Sequence, residues 1–379
     1  MQKEQEAYYR MNRSGTNNDI LRTTDDLRRV TGMTEDQLAE TDRIIRLFPM
    51  KIPLSYYSLI DPDNPDDPIA RMCMPSVEEL NASGSFDTSG EKDNTAQTGL
   101  QHKYRQTALI LTTNVCAMYC RHCFRKRLVG TSETELNRQT EDALDYVRNH
   151  PEINNVLLSG GDALMLSNYV LRQYLSAMAA LETLDFVRIG SRVPVVFPQR
   201  ILEDDELLDI LEKFGKRKAL YLVTQFNHPR ELAGEQKDAV RCLQQRGIQV
   251  RNQTVLLRGV NDSAETLGSL LQGLTGLGVT PYYVFQCRPV RGVRSRFQVP
   301  LLEGAAIVAE AKSMQNGFGK CFRFAMSHPR GKIEILGPGE GQNMFFKFHQ
   351  SKDEADADRL FCTQLSPSDT WLDGTLKGI

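Results

Sequence analysis

Three cysteines fall within eight residues, Cys116-Ala117-Met118-Tyr119-Cys120-Arg121-His122-Cys123, directly after an apolar run over 107–112. Three thiolates on one loop can hold an iron–sulfur cluster, and three ligands for four irons leave one iron open to a small molecule. A zinc site or a set of reactive buried thiols is the plainer alternative. A structural zinc site takes four ligands. The other five cysteines, Cys73, Cys242, Cys287, Cys321 and Cys362, are scattered singly, so nothing in the sequence completes a four-thiolate set. Those five read as small core residues, and the triplet as cluster ligands.

Composition narrows what surrounds such a loop. The 379 residues carry 46 Lys+Arg against 48 Asp+Glu, which lacks the basic footprint of a nucleic-acid-binding domain. No apolar run approaches the roughly 18 residues of a membrane span. The N-terminal residues lack the apolar stretch of a signal peptide. A cytoplasmic chain with neither nucleic acid nor membrane as partner is therefore expected. In a reducing compartment its cysteines serve as thiols or ligands rather than disulfides.

The elements that would position the triplet can be read from periodicity. Apolar, β-branched-rich runs occur at 107–112, 154–158, 186–189, 219–224, 250–257 and 281–286. Helix-period segments lie between and after them, near 136–149, 167–181, 203–215, 230–246, 263–276 and 301–315. Six strand–helix alternations predict a parallel sheet clad with helices, with functional residues on the loops that follow the strands. Before this region the first ~30 residues are polar and read as a frayed arm. Thr34-Glu35-Asp36-Gln37 fits a capping box that opens a helix ending before Pro49. Residues 81–99 read as a long functional loop and mark the main boundary. The expected organisation is an N-terminal, mainly helical extension with that loop (1–100), an α/β domain (101–320) and a C-terminal segment (321–379). In the last, 332–336 and 344–348 are strand candidates.

The Cys-x3-Cys-x2-Cys spacing resembles that of the radical S-adenosylmethionine (SAM) enzymes, in which SAM fills the open iron site and is cleaved to a 5′-deoxyadenosyl radical. The resemblance implies a [4Fe–4S] cluster on Cys116, Cys120 and Cys123. It implies His122 near the adenine, and the turn Ser159-Gly160-Gly161-Asp162 at SAM's amino group, where glycine admits a close approach. A narrower resemblance joins Cys120 to Arg127, Leu158 to Asp162, Arg188 to Pro194, Phe226 to Pro229 and Asn252 to Asp262. These stretches are similar to lysine 2,3-aminomutase and its relatives over roughly residues 50–340. That implies an incomplete (β/α)6 barrel and an isomerase that also uses pyridoxal phosphate (PLP). It further implies an external electron donor such as flavodoxin or ferredoxin, and a homodimer. PLP requires a lysine for the Schiff base, and Lys332 occupies that place between Gly331 and an apolar strand. By motif position Arg125 would pair with the substrate α-carboxylate, a task suited to a planar guanidinium. Lys103 would meet the PLP phosphate as a point charge, and Arg192 and Gln253 would contact SAM. Lys126 and Arg127 read as a solvated basic face. Asn227 and His228 could equally be turn residues before Pro229.

The match breaks at the substrate side chain. Lysine-specific relatives carry two aspartates for the distant ammonium. Here Arg288 stands at one position, and Phe324-Ala325-Met326-Ser327 brings no acid to the other. A buried cation disfavours an ammonium and favours a carboxylate. The expected substrate is therefore glutamate or another acidic or polar amino acid, with Arg288, joined by Arg291 or Arg294, as its partner; lysine itself, or a lysine within a protein as in a radical SAM relative, is the alternative. The C-terminal tail has only Cys362, so no zinc is expected there.

Overall fold

The structure, a computed structural model, describes residues 20–137 and 139–379. The expected frayed arm therefore lies largely outside the described residues. Its final third is structured: Ile20–Leu21 pairs antiparallel with Ile52–Pro53, and helix α1 (Thr24–Val30) follows a Thr23 capping box. With only Leu27 buried, α1 has almost no apolar signal in the sequence. Helix α2 (Glu35–Leu47) follows the predicted bounds. Thr34 Oγ1 accepts from Gln37 N (3.3 Å) and Gln37 Oε1 accepts from Thr34 N (2.8 Å), which satisfies two of the otherwise unpaired groups of the first turn.

All six expected strands form, in one twelve-stranded sheet. In chain order its members are β1 (Thr95–Gln97), β2 (Leu100–Tyr104), β3 (Thr107–Thr113), β4 (Asn155–Gly160), β5 (Phe186–Gly190) and β6 (Ala219–Thr224). Then come β7 (Gln249–Leu256), β8 (Thr280–Gln286), β9 (Arg323–His328), β10 (Gly331–Pro338), β11 (Asn343–Ser351) and β12 (Leu360–Gln364). Neighbours in the sheet are neighbours in sequence. Strands β3 to β9 are parallel, with register pairs such as Ile110–Leu158 and Leu158–Ile189, and antiparallel strands flank them at both ends. The sheet does not close on itself, giving a partial (β/α)6 barrel. Strand β9 escaped the sequence reading because its run Arg323-Phe324-Ala325-Met326-Ser327-His328 lacks β-branched residues. Pro281 brings no N–H to the ladder, and the register of β8 against β7 shifts between Pro281 and Tyr283.

The helices are α3 (Thr140–Arg148), α4 (Asn168–Ala179), α5 (Asp205–Gly215), α6 (Gly234–Gln245), α7 (Ala264–Gly276) and α8 (Leu301–Ser313). Each buries an apolar stripe. In α5, Leu207, Leu208, Ile210, Leu211 and Phe214 are buried, and Asp204 caps the first turn through Leu207 N (2.8 Å). Each such side chain contributes about 1.5–3 kcal/mol on burial.

Two apolar clusters result. One unites Leu27, Leu38, Tyr56, Ile69 and Met72 with barrel residues such as Ile110 and Leu158. The other packs α7 and α8 against β9–β11 and Trp371. Of the five single cysteines, Cys73 and Cys287 are buried as expected, whereas Cys321 and Cys362 are exposed. That corrects the core reading for these two. Cys362 lies on the edge strand β12, and Cys321 follows the turn below α8, where its thiol donates to Gly317 O (3.3 Å).

Candidate active site

The loop after β3 carries Cys116, Cys120 and Cys123 and is tied down from the N-terminal side. Lys51 Nζ donates to Cys116 O (2.8 Å), and Arg121 N donates to Met72 O (2.8 Å). Two glutamates then grip the basic residues within the cysteine loop and directly after it. The fully buried Glu79 carboxylate takes Arg121 (2.5 Å) and Lys126. Glu91 takes Arg125 Nε (3.1 Å) and Arg127 Nη2 (2.6 Å). Lys126 and Arg127 are therefore not a solvated face, as their sequence suggests. Both are drawn inward by carboxylates that the sequence places far away.

The glycine turn after β4 packs on this loop. A Cβ on Gly160 would strike Thr113 O, and one on Gly161 would strike Val115 O; Gly160 also has φ +117°. The close approach these glycines allow is to protein backbone. Asp162 completes the junction: its N–H donates to Val115 O (2.8 Å), and its carboxylate accepts from Leu164 N (3.1 Å) and Arg192 N (2.7 Å). Three strand-end loops are thereby locked together. Burial pushes the Asp162 carboxyl above its usual range.

Around the sulfurs, Arg192 Nη1 donates to Cys120 Sγ (2.7 Å) and Arg125 N to Cys123 Sγ (3.3 Å). Burial pushes the Cys123 thiol up to about 11 and the Cys116 thiol well above its ordinary value. Nucleophilic thiols need the opposite shift, which disfavours the reactive-thiol reading for Cys116 and Cys123; a bound metal would ionise them outright. Among the described residues no three His, Cys, Asp or Glu side chains converge on a single-ion position. A four-iron cluster does not need that, because it takes one thiolate on each of three irons. His122 is buried beside the triplet. Its Nε2 accepts from Gln225 Nε2 (3.1 Å) and Asn227 Nδ2 (3.3 Å), while Nδ1 is buried with no partner. With Nε2 accepting, Nδ1 carries the proton, an orphaned donor of the kind a ligand would satisfy. Asn227 and His228 hold their own loop: Asn227 Oδ1 accepts from Val255 N (2.9 Å) and His228 Nδ1 from Arg230 N (3.2 Å). Gln253 is half-buried on β7 opposite Tyr283.

Lys332 projects from β10 with its ammonium 4.4 Å from the Tyr283 ring centre and 5.6 Å from that of Phe285. Desolvation, followed by Arg188, Arg288 and Lys103, brings it down to about 7. Gly331 is required by the sheet, since a Cβ there would strike Gln350 O. Lys103 Nζ donates to Ser89 O (3.1 Å) and His328 O (2.5 Å), and desolvation lowers it to about 7. Arg288 follows β8 with Nη1 on Ser89 Oγ (2.8 Å) and its guanidinium 4.2 Å from the Phe124 ring centre. Desolvation, offset in part by Glu91, lowers it to about 10. Arg125 reaches the same ring at 4.6 Å and donates to Ser159 Oγ (2.9 Å). Arg291 is exposed and stacks on Phe86, which removes it from the expected carboxylate site. Arg294 opens a short helix, Arg294–Phe297.

The structure thus gathers Arg125, Ser159, Lys103, Arg288 and Lys332 around one end of the barrel, beside the cysteine loop. The sequence reading did not single out Arg188, Glu79, Glu91, Tyr56 or Glu231. The 81–99 loop was the one available hint. Its Ser85 N donates to Pro289 O (3.0 Å), and Arg291 N donates to Ser85 O (3.2 Å), so it lies over the β8 loop that bears Arg288.

Residues 110–270 match the model of the radical SAM superfamily. A protein of Aquifex aeolicus, provisionally named an L-lysine 2,3-aminomutase, is 42% identical over 350 residues, covering 92% of this chain and 93% of its own. The L-lysine 2,3-aminomutase of Clostridium subterminale is 36% identical over 79% of this chain and 71% of its own. The glutamate 2,3-aminomutase of Clostridioides difficile is 34% identical over 77% of this chain and 68% of its own. Among the described residues no helix is long and apolar enough to cross a membrane.

Proposed function

The chain belongs to the lysine 2,3-aminomutase family of radical SAM enzymes, and we propose that it moves the α-amino group of a free acidic amino acid, glutamate first, to the β-carbon. Radical SAM enzymes use SAM and a [4Fe–4S] cluster. In this reading Cys116, Cys120 and Cys123 hold the cluster, while His122, Ser159, Gly160, Gly161, Asp162, Arg192 and Gln253 line the SAM side. Lys332 and Lys103 hold PLP. When bound, these groups supply a hydrogen-abstracting radical and a conjugated ring able to spread an unpaired electron.

The chain's own residues supply binding and orientation. Lys332, brought near neutrality by desolvation among cations, presents an amine able to attack a carbonyl at neutral pH. Lys103, lowered to about 7 by desolvation, would be drawn back to its charged form by a phosphate and hold it as a point charge. Arg125, fixed at Nε by Glu91 and at Nη1 by Ser159, offers a guanidinium to the α-carboxylate. Arg288 offers a second one to the side-chain carboxylate.

The observation that carries the substrate reading is Arg288 itself, a desolvated cation sharing the Phe124 ring with Arg125 and lying near Lys103 and Lys332. The carboxylates acting on it are Glu91 and Asp87. Two like charges 4 Å apart at an effective dielectric of 20 repel by about 4 kcal/mol, so a lysine ammonium directed at Arg288 is disfavoured and a carboxylate is favoured. A one-electron donor of the flavodoxin or ferredoxin class and a homodimeric assembly belong to the same reading.

Anaerobic enzyme reconstituted with iron, sulfide, SAM and PLP, then reduced, should convert glutamate to its β-isomer. Formation of β-lysine from lysine, with glutamate untouched, would overturn the substrate.

A further inference from the structure

A buried chain of hydrogen bonds runs from the N-terminal segment to a cysteine sulfur. Tyr56 Oη donates to Glu231 Oε1 (2.6 Å), and Arg192 Nη2 donates to the same oxygen (2.6 Å). The other edge of that guanidinium ends on sulfur, with Arg192 Nη1 2.7 Å from Cys120 Sγ. Glu231 and Arg192 are each held from a further direction. Glu231 Oε2 accepts from Asn227 N (2.5 Å) and His228 N (3.1 Å), and Arg192 Nε donates to Gln225 O (3.0 Å). Tyr56 and Glu231 are completely buried. The guanidinium therefore cannot swing away from Cys120 without breaking bonds at Nε and Nη2.

A purely structural ion pair would explain the Glu231 end. It does not explain why a desolvated cation points its remaining edge at a thiol, one of the weakest acceptors in a protein. The arrangement is matched to a sulfur that carries charge. A cationic N–H on a cluster thiolate withdraws electron density and favours the reduced cluster, and hydrogen bonds to sulfur together with net charge set such potentials. Resting on the cluster assignment above, we infer that Glu231 and Tyr56 are positioning residues that hold Arg192 on Cys120 and set the cluster's reduction potential. Glu231 tempers the cation, and Tyr56 in turn tempers Glu231. The redox step concerned is the gain of one electron by the cluster from an external one-electron donor, with no protein bond made or broken.

The test is a redox titration of reconstituted protein without SAM or substrate, following the paramagnetic reduced cluster by electron spin resonance. Glu231→Gln keeps an amide oxygen to accept from Arg192 Nη2 and hold it on Cys120, but removes the anion, and should raise the midpoint. The expected size is about a tenfold rise in the reduced-to-oxidised ratio at fixed poise, about 59 mV for one electron. Arg192→Gln should lower it. Tyr56→Phe, nearly isosteric, should lower it by less. Opposite signs for Glu231→Gln and Arg192→Gln are what a merely structural role does not produce; shifts of one sign, or none, overturn the inference. Should either of those variants fail to hold iron, Tyr56→Phe decides: an unmoved midpoint overturns it. Wild-type protein that binds no cluster overturns the functional reading instead.

Discussion

Arg125 and Arg288 meet at a single aromatic ring, their guanidinium carbons 4.6 and 4.2 Å from the centre of Phe124. The Glu91 carboxylate, bonded to Arg125, also acts on Arg288. Two cations 163 positions apart in sequence are thus held at one place against their mutual repulsion. In the proposed function a substrate with two carboxylates occupies this place.

Arg288→Gln should therefore damage glutamate turnover chiefly through binding. Loss of a charge-assisted hydrogen bond is worth about 1.5–3 kcal/mol, which corresponds to a fall in kcat/KM of roughly 13- to 160-fold. Steady-state kinetics would show most of it in KM. A change smaller than threefold would mean that Arg288 does not meet the substrate.

Lys332→Met should abolish borohydride-stable attachment of PLP and yet make the PLP-free protein more stable. Lys332 sits at about 7 in the folded chain, below the ~10.4 of an exposed lysine. Between those values the unfolded chain binds a proton that the folded chain does not. Stability from this group therefore falls as pH drops from about 10 to about 7, and the full penalty applies below that. The gain in Tm from Lys332→Met should be largest below pH 7 and vanish above about 10.5. A Tm difference independent of pH would contradict the assignment.

Glu91→Gln should destabilise the fold and loosen the carboxylate site together. Its carboxyl is held down to about 2 by Arg125, Arg288 and Arg127 against the opposing effect of burial. Removing one partner of a buried ion pair costs about 3–5 kcal/mol, readable as a lower urea midpoint at pH 7. Because the folded value is depressed, the stabilisation is complete above about pH 4.3. It is lost only as pH falls towards 2.

Serine at Cys116, Cys120 or Cys123 should each abolish stable iron binding, whereas serine at Cys321 or Cys362 should leave the iron content of reconstituted protein unchanged. Iron and sulfide analysis separates the two sets. Equal loss from both would remove the triplet from the cluster assignment.

The parts of this molecule legible in sequence are those whose signal is local. Strands of a parallel sheet clad with helices form apolar runs, so β3 to β8 stand out. The cysteine spacing lies within eight residues. Strand β9 and helix α1 lack that local contrast. The straps are illegible for a different reason. In isolation Glu79 and Glu91 look like any solvated acid in a polar loop, and their partners lie 34 to 47 residues away. The Tyr56–Glu231 bond spans 175 residues. Burial decides what a charge does, and a sequence window does not contain the burial. Lys126 and Arg127 are misread for that same reason.

The two halves of the site are also separated in time. Lys332 lies 209 residues after Cys123, and at a synthesis rate of about 5–20 residues per second it leaves the ribosome roughly 10–40 seconds later. Glu79, Glu91 and the cysteine loop are already synthesised throughout that interval, while the strand bearing the lysine is not. Under the proposed function, a nascent chain therefore carries the thiols for the cluster before the residues of any pocket for PLP have been made.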